Sequence, residues 1–222
     1  MDRRRFRGRF ITLEGPEGSG KSTQAFYLAG MLKKHGYSVL QTREPGGTPL
    51  AEAIRQLLLS SPTRESVRAH TEALLILAAR SQHVTHVIMP ALRQGMIVLC
   101  DRFADSTFAY QGHGRNISLP WLKQMNEAAT DGLVPDLTLL FDLPVSIGLA
   151  RRRNARGKQN RLDRESERFH RKVRRGFLML ARQNRKRIVV IDAKQRPDAI
   201  AALAQNLVLK HLKHHRLSRK RS

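Results

Sequence analysis

The sequence predicts an α/β domain in which helices cover both faces of a five-stranded parallel sheet, giving three layers in the order α/β/α. Short, continuous apolar runs alternate with longer amphipathic stretches along the 222 residues. Strands that are apolar without alternation are typical of a parallel sheet that is buried on both faces. No internal repeat and no Pro/Ser-rich linker divides the chain. We therefore expect one domain over residues 1–222.

The elements follow in order along the chain. The apolar runs predict strands at Phe10–Glu14, Ser38–Thr42, Met96–Cys100, Leu137–Phe141 and Ile188–Ile191. The stretches between them predict helices at Lys21–His35, Leu50–Leu59, Thr71–Arg93, Pro120–Thr130, Val145–Arg153 and Pro197–Leu212. Pro90 should break the third of these helices, because proline has no backbone N–H. We expect a disordered basic tail at about residues 211–222.

The charge of the chain indicates anionic partners. There are 41 Lys and Arg residues against 18 Asp and Glu residues, a formal net charge of +23. Nucleotides would satisfy such a charge, and so would nucleic acid. No apolar run approaches the roughly 20 residues that cross a bilayer, and no apolar signal segment follows the basic N-terminus. We expect a cytoplasmic protein without a membrane partner.

Cysteine and histidine residues give no sign of a structural metal site. Cys100 is the single cysteine and ends an apolar run, so we interpret it as a small buried core residue. No Cys/His set has the spacing of a structural zinc site. The helically spaced histidines are expected at the surface, and they are His83, His86, His211, His214 and His215.

The stretch from Gly15 to Thr23 matches the pattern G-x-x-x-x-G-K-[ST] between a predicted strand and a predicted helix. A loop of this kind points backbone N–H groups at phosphate oxygens. Lys21 should reach the β- and γ-phosphates, and the Ser22 hydroxyl should ligate Mg²⁺. The motif indicates a nucleoside triphosphate without indicating the reaction. Its candidate contacts are Gly15, Pro16, Glu17, Gly18, Ser19, Gly20, Lys21, Ser22 and Thr23.

Two further motifs also follow predicted strands. Asp101 and Arg102 come directly after the third strand, where the carboxylate could lie near Mg²⁺ and the guanidinium could hold an acceptor phosphate. A structural ion pair at the strand end is the alternative. The stretch from Arg43 to Thr48 contains one proline and two glycines after the second strand. It would project Arg43 over the edge of the sheet, or it is a plain turn with a solvated arginine.

The polar segment at about residues 151–166 has weak periodicity and is rich in arginine. We interpret it as a mobile lid over the site, because cations delivered by a closing lid stabilise a transferring phosphoryl group. A basic surface that only binds polyanions is the alternative. The arginines of this segment are Arg151, Arg152, Arg153, Arg156, Arg161 and Arg164.

Together and in this order, the motifs resemble those of the thymidylate kinase family of P-loop nucleoside monophosphate kinases, over roughly residues 8–208. The most specific match is the block from Asp101 to Gly112, which is similar to the family pattern D-R-[YFH]-x-x-S-x-x-A-Y-Q-G. The resemblance implies a P-loop NTPase fold, transfer of the γ-phosphate of Mg·ATP to dTMP to form dTDP, and a homodimer. Nucleic acid is then only a non-specific partner of the basic surface.

The resemblance also implies roles for individual residues. Glu17 would accept a hydrogen bond from the 3′-hydroxyl of dTMP, and Arg43 and Arg102 would clamp its phosphate. Asp101 would lie near the Mg²⁺ that Ser22 ligates. The base and sugar would be lined by Ile76, Arg80, Ser106, Tyr110 and Gln111. Family members usually carry phenylalanine at the position of Ile76, so we expect weaker or less selective dTMP binding.

The residue at position 18 indicates which segment supplies the catalytic arginine, and here it is glycine. Some family members place an arginine at this position of the P-loop, whereas others have a small residue there and supply the catalytic arginine from the lid. The chain resembles the second kind. Its lid is lengthened between Arg153 and Asp163 and the helix after it is shortened, so two lid residues stay as candidates. The predicted catalytic residues are Lys21, Arg102, Arg156 and Arg161.

Two alternatives remain open at this point. The isoleucine at Ile76 leaves room for a related deoxynucleotide or deoxynucleoside kinase with a different acceptor. The net charge of +23 leaves room for a nucleic-acid-binding protein on a degenerate kinase scaffold. Binding to a polyanion would fall steeply with salt, whereas catalysis would fall much less.

Overall fold

The computed structural model describes residues 8–60, 66–154 and 160–219. Its strands are β1 (Arg9–Glu14), β2 (Val39–Arg43), β3 (Ile97–Asp101), β4 (Leu137–Asp142) and β5 (Ile188–Asp192). They form one five-stranded sheet in the order β2-β3-β1-β4-β5. Every neighbouring pair is parallel, which confirms the predicted sheet.

The helices that connect the strands cover both faces of this sheet. They are α1 (Lys21–Lys34), α2 (Pro49–Ser60), α3 (Ala69–His83), α4 (Met89–Arg93), α5 (Ala104–Thr107), α6 (Leu119–Thr130), α7 (Val145–Asn154), α8 (Glu167–Gln183) and α9 (Pro197–Arg219). Among the described residues, no helix has both the length and the apolar character needed to cross a membrane.

Alternate residues of the strands enter apolar cores on the two faces of the sheet. Ile11 and Leu99 face α1 and α9, where Leu28 and Val208 are also buried. On the other face, the apolar side chains of β1 and β3 pack against α4 and the helical turn before it. Cys100 is buried there as a free thiol, which confirms its interpretation as a core residue. Burial raises the pKa of its thiol above the usual range.

The region around Pro90 is helical on both sides, with a local change of geometry. A π-helical stretch, Val84–Ile88, joins α3 to α4. Pro90 lies at the start of α4, where its missing N–H removes less of the hydrogen bonding than it would in the middle of a helix. The predicted break is therefore a widened turn, not an interruption. A second π-helical stretch, Phe108–Gly114, follows α5.

Two helices near the C-terminus differ from the predicted pattern. We predicted no bounds for α8, in which arginine and lysine are dense, yet it buries Phe169, Val173 and Phe177 along one face. The side chain of Ser166 caps its start by accepting from the backbone N–H of Phe169 at 3.2 Å. The last helix, α9, continues past the predicted end at Leu212. The tail that we expected to be disordered from about residue 211 is helical here as far as residue 219.

The fold brings the ends of three strands together. Leu13 of β1 and Arg43 of β2 both pair in register with Asp101 of β3. In a parallel sheet, ligands bind beyond the carboxyl ends of the strands. The loop after β1, the loop after β2 and the Asp101–Arg102 pair therefore meet at one edge.

Candidate active site

The loop between β1 and α1 forms a cradle around the ammonium group of Lys21. Lys21 Nζ donates to the carbonyl oxygen of Pro16 at 2.9 Å and to Ser19 Oγ at 3.2 Å. Burial and the charge of Arg102 lower the pKa of Lys21 to about 8, although nearby Glu17 acts in the opposite direction. Gly20, with φ of 85°, is the N-cap residue of α1. It has no side chain that could accept hydrogen bonds from the backbone N–H groups of the first turn. This arrangement can bind an anion at the helix N-terminus.

Ser22 and Asp101 lie together beside this cradle. Ser22 Oγ donates to Asp101 Oδ2 at 2.5 Å. The other carboxylate oxygen, Oδ1, is buried and has no hydrogen-bond partner among the described residues. A carboxylate with unused lone pairs next to a hydroxyl is an oxygen set that Mg²⁺ accepts. The two predicted metal ligands therefore fit that ion.

Arg102 links the cradle to the neighbouring cavity. Its Nη1 donates to the carbonyl oxygen of Gly15 and to Ser106 Oγ, both at 3.1 Å. Its Nη2 donates to Glu17 Oε1 at 2.8 Å and to Tyr110 Oη at 3.3 Å. The backbone of Arg102 has φ of 74°, a left-handed conformation that is costly for a residue with a side chain. Backbone strain of this kind clusters at functional sites.

Glu17 is held as an ionised carboxylate in the wall between cradle and cavity. Its Oε1 also accepts from Tyr110 Oη at 2.9 Å. Burial alone would raise the pKa of Glu17, but the charges of Arg102 and Lys21 outweigh it and hold the pKa at about 2. Glu17 can therefore accept a further hydrogen bond from a ligand hydroxyl at neutral pH.

The cavity beside the cradle collects most of the residues that we predicted to bind an acceptor. Its wall includes Glu17, Ile76, Arg80, Arg102, Ser106, Tyr110 and Gln111 from that predicted set. It also includes residues that we did not predict, among them Glu44, Arg55 and Glu72. We call this the acceptor cavity. Tyr110 and Gln111 enter it from the π-helical stretch after α5, and such stretches are frequent at functional sites.

Arg80 is fixed in the wall of the acceptor cavity by a buried ion pair. Its Nε donates to Glu44 Oε2 at 2.7 Å, and its Nη1 donates to Asn126 Oδ1 at 2.8 Å. The guanidinium also lies 5.0 Å from the centre of the Phe103 ring. A buried ion pair is tolerated when its remaining polar atoms are satisfied in this way. The orientation of Arg80 is thus set before a ligand arrives.

His83 is buried, so our expectation that it lies at the surface was wrong. Its Nδ1 lies 3.1 Å from Glu44 Oε1 and its Nε2 lies 2.7 Å from Thr42 Oγ1. The loop after β2 folds closely over the ring, and a β-carbon on Gly47 would overlap it. Partners from a loop remote in sequence account for the burial of this histidine.

Arg43 lies outside the acceptor cavity, and Arg55, which we did not predict, lies in its wall. The Arg43 side chain is 57% exposed and pairs with Glu52 Oε2 at 3.2 Å, and it does not line the acceptor cavity. Arg55, one turn after Glu52 in α2, does line it and donates from Nη1 to the carbonyl oxygen of Pro45 at 2.9 Å. Burial and the charge of Arg43 lower the pKa of Arg55. The one signal for it in the sequence is an arginine within a predicted helix, three residues after Glu52.

The two lid candidates are Arg156 and Arg161. Arg156 lies outside the described residues, so its role stays a prediction. Arg161 donates from Nε to the carbonyl oxygen of Leu58 at 3.0 Å, and from Nη2 to Glu72 Oε2 at 2.5 Å. Its backbone N–H donates to the carbonyl oxygen of Leu59 at 3.2 Å. Arg161 is thus bound to α2 and α3 in the wall of the acceptor cavity.

The five-stranded parallel sheet and the loop between β1 and α1 define the class, a P-loop kinase. Residues 13–203 match the family model described as thymidylate kinase. The chain is 52% identical to thymidylate kinase of Pseudomonas putida (strain GB-1) over 193 residues, which cover 87% of this chain and 91% of the relative. It is 50% identical to thymidylate kinase of Thermomicrobium roseum over 209 residues, covering 94% and 98% of the two chains.

Solved structures agree with these sequence comparisons. A crystal structure of thymidylate kinase from Ehrlichia chaffeensis superposes with a TM-score of 0.73 and 34% sequence identity, covering 91% of this chain and 98% of the other. The chain belongs to the thymidylate kinase family.

Proposed function

We propose that this chain transfers the γ-phosphate of Mg·ATP to dTMP in line, with the cradle holding ATP and the acceptor cavity holding dTMP. Thymidylate kinases phosphorylate dTMP, so the reaction follows from the family. The assignment of its parts to individual residues is the proposal. The observation that carries it is Arg102, whose guanidinium bonds the cradle at Gly15 and the acceptor cavity at Ser106 and Tyr110.

On the donor side, the backbone N–H groups of the loop and the ammonium of Lys21 bind the β- and γ-phosphates of ATP. Ser22 and Asp101 would hold Mg²⁺, and the unpartnered Oδ1 of Asp101 supports this. When bound, Mg²⁺ neutralises charge on the phosphate oxygens. Lys21 must be protonated for its part, which its pKa of about 8 permits at neutral pH.

On the acceptor side, Arg102 holds the phosphate of dTMP in line with ATP through its planar guanidinium. Arg43, which we predicted to share this task, is exposed and paired with Glu52. Arg55 lines the cavity and is the better placed second cation. An oxygen of the acceptor phosphate attacks the γ-phosphorus, the bond from that phosphorus to the β-phosphate oxygen breaks, and ADP leaves.

The nucleoside part of dTMP is recognised by the rest of the cavity. The ionised carboxylate of Glu17 accepts from the 3′-hydroxyl, and the adjacent Tyr110 narrows the space for a 2′-hydroxyl. Arg80 donates to a thymine carbonyl oxygen. The amide of Gln111 has both a hydrogen-bond donor and an acceptor with which to bind the edge of the base. Ile76 and Ser106 complete the wall.

Charge that develops on the transferred group is stabilised by Lys21 and Arg102, and we retain Arg156 as the lid cation. Arg161 was predicted for the same task. Its hydrogen bonds to α2 and α3 support a position beside the acceptor instead.

The assembly and location of the protein are also proposals. Exposed leucines on two packed helices, Leu50 and Leu57 of α2 and Leu74 of α3, support a homodimer through this face. We propose a cytoplasmic enzyme, and we propose that nucleic acid binds only non-specifically to its basic surface.

Glu17→Gln tests the proposal at the sugar. With dTMP and 3′-deoxy-dTMP as acceptors, we expect wild type to prefer dTMP by about tenfold, the scale of one charge-assisted hydrogen bond. The substitution should remove this preference. Glu52→Gln, which neutralises an exposed carboxylate outside the cavity, is the matched control and should keep it. An equal loss of kcat/KM with both acceptors in Glu17→Gln would contradict the assignment.

A further inference from the structure

Glu72 is a buried carboxylate at the meeting point of three segments. It lies in the first turn of α3 and is 1% exposed. Its Oε1 accepts from Gln111 Nε2 at 2.7 Å. Its Oε2 accepts from Arg115 Nη2 at 3.2 Å and from Arg161 Nη2 at 2.5 Å. Burial alone would raise the pKa of Glu72, but the bond from Gln111 and the two arginines outweigh it and lower the pKa. Glu72 is therefore ionised at neutral pH.

An ionised Glu72 fixes the orientation of the Gln111 amide. A carboxylate can only accept hydrogen bonds, so Gln111 must turn its NH₂ group, and not its carbonyl oxygen, toward Glu72. Gln111 is itself buried at 1% exposure and lines the acceptor cavity. Its carbonyl oxygen is then the group left over for a ligand. An unrestrained amide could present either end, because its two ends are nearly the same shape.

We propose that Glu72 is a specificity-positioning residue, which holds the Gln111 amide so that its carbonyl oxygen accepts from N3–H of the acceptor base. This inference rests on the proposed function, since it takes the acceptor cavity to bind a pyrimidine monophosphate. Thymine carries a hydrogen at N3, whereas cytosine has a lone pair there. The fixed carbonyl oxygen thus bonds thymine and repels cytosine.

Arg161 is part of the network of hydrogen bonds around Glu72. It pairs with Glu72 in the wall of the acceptor cavity, while Arg115 pairs with Glu72 and also with Glu165 at 2.5 Å. The two arginines keep the carboxylate charged and in place. Arg161 therefore acts on acceptor recognition through Glu72.

The test is the affinity for three acceptors, measured by titration calorimetry: dTMP, dCMP and N3-methyl-dTMP. Glu72→Gln keeps the shape of the side chain and lets the Gln111 amide turn either way. We expect the dTMP-to-dCMP affinity ratio to fall by about tenfold or more from that of wild type, the scale of one mispaired buried hydrogen bond. The discrimination against N3-methyl-dTMP should weaken with it. Glu165→Gln is the matched control, because Glu165 shares Arg115 but has no hydrogen bond to Gln111. It should keep both ratios.

A second variant covers the case in which Glu72→Gln does not fold. Gln111→Met removes the amide and leaves Glu72 with both arginines, and it should lower the same two ratios. Unchanged ratios in either folded variant would overturn the inference, and so would an equal fall in Glu165→Gln. Because binding needs no turnover, ADP release measured in parallel reports the proposed function separately. Selective dTMP binding without ADP release would reject the function and leave the inference standing.

Discussion

The backbones of Gly18 and Gly148 are in direct contact. A β-carbon on Gly18 would lie 2.8 Å from the carbonyl carbon of Gly148 and would overlap its carbonyl oxygen, and a β-carbon on Gly148 would overlap the carbonyl oxygen of Glu17. The loop between β1 and α1 therefore meets α7 at two glycines. This packing leaves no room for an arginine at position 18. It explains in physical terms why the chain resembles the family members that lack one there.

Gly18→Ala should destabilise the protein more than a glycine substitution at an open site with the same backbone conformation. Gly36 provides that site, since its φ is 78°, close to the 71° of Gly18, and a β-carbon on it would meet nothing within 4 Å. We expect Gly36→Ala to lower the free energy of unfolding by about 1–2 kcal/mol, the cost of the left-handed conformation. Gly18→Ala should lose more, because it adds the overlap with Gly148. The measurement is denaturant unfolding without nucleotide. Equal losses of unfolding free energy in the two variants would show that α7 moves away from position 18 at no cost.

Arg55→Ala should impair dTMP binding more than Arg43→Ala. Arg55 lines the acceptor cavity, whereas Arg43 is exposed and paired with Glu52. Loss of one charge-assisted hydrogen bond to a phosphate costs about 1.5–3 kcal/mol, so KM for dTMP should rise roughly tenfold to a hundredfold in Arg55→Ala. We expect a change of less than about threefold in Arg43→Ala. The opposite order of effects would restore Arg43 as the second phosphate ligand.

Ile76→Phe should strengthen dTMP binding. Ile76 lines the acceptor cavity and packs beside the core between α2 and α3. An aromatic ring at this position could stack on thymine, and stacking of a base on an aromatic side chain contributes about 1–3 kcal/mol. We expect a lower KM for dTMP and greater selectivity over dUMP. A KM and a selectivity that both stay at the wild-type values would contradict this expectation.

The kcat/KM for ATP should fall as the pH rises above about 8. The pKa of Lys21 is lowered to about 8, chiefly by burial, and kcat/KM for ATP reports the protonation of the enzyme before ATP binds. Below this pH, Lys21 is charged and binds phosphate oxygens. Above this pH, the ammonium group loses its proton and its charge. The kcat/KM for ATP therefore falls as the pH rises. The measurement is a pH–rate profile at saturating dTMP.

Glu14→Gln is the control for that profile. Burial and the charge of Asp105 raise the pKa of Glu14 to about 8, so this carboxyl gains a negative charge over the same pH range. Its variant should keep the fall that Lys21 causes, moved to a somewhat lower pH because the charge of Glu14 raises the pKa of Lys21. Disappearance of the fall in Glu14→Gln would assign it to the carboxyl instead.

The same raised pKa of Glu14 makes a prediction about stability. The folded state binds this proton more tightly than the unfolded state, in which the carboxyl has its ordinary pKa of 4.5. The contribution to stability is therefore complete below that value and is lost as the pH rises through about 8. Denaturant unfolding between pH 6 and 9 should show a decline in wild type that is smaller in Glu14→Gln. An equal decline in both proteins would contradict it.

Local patterns were sufficient to predict the parts of the site that are contiguous in sequence. The loop from Gly15 to Thr23 and the Asp101–Arg102 pair each follow a strand, and parallel pairing brings them to one edge. The sheet was predictable for the same reason, because burial on both faces makes each strand an apolar run.

Contacts between remote segments could not be predicted in this way. His83 is buried because β2 supplies Thr42 and the loop after β2 supplies Glu44 as partners. Glu72 and Arg161 lie far apart in sequence and meet only once the chain has folded. Whether Arg55 lines the cavity depends on which side of α2 faces it. No spacing in the sequence records that orientation.

The most direct test of the whole account is ADP release from Mg·ATP, coupled to a spectroscopic readout, with dTMP, dUMP, dCMP, dGMP and AMP compared as acceptors. Wild type and Lys21→Ala are measured side by side, with circular dichroism to establish that both are folded. We expect activity largely confined to dTMP and lost in Lys21→Ala. Activity directed mainly to another acceptor, or no activity with any acceptor from folded protein that binds ATP, would contradict it.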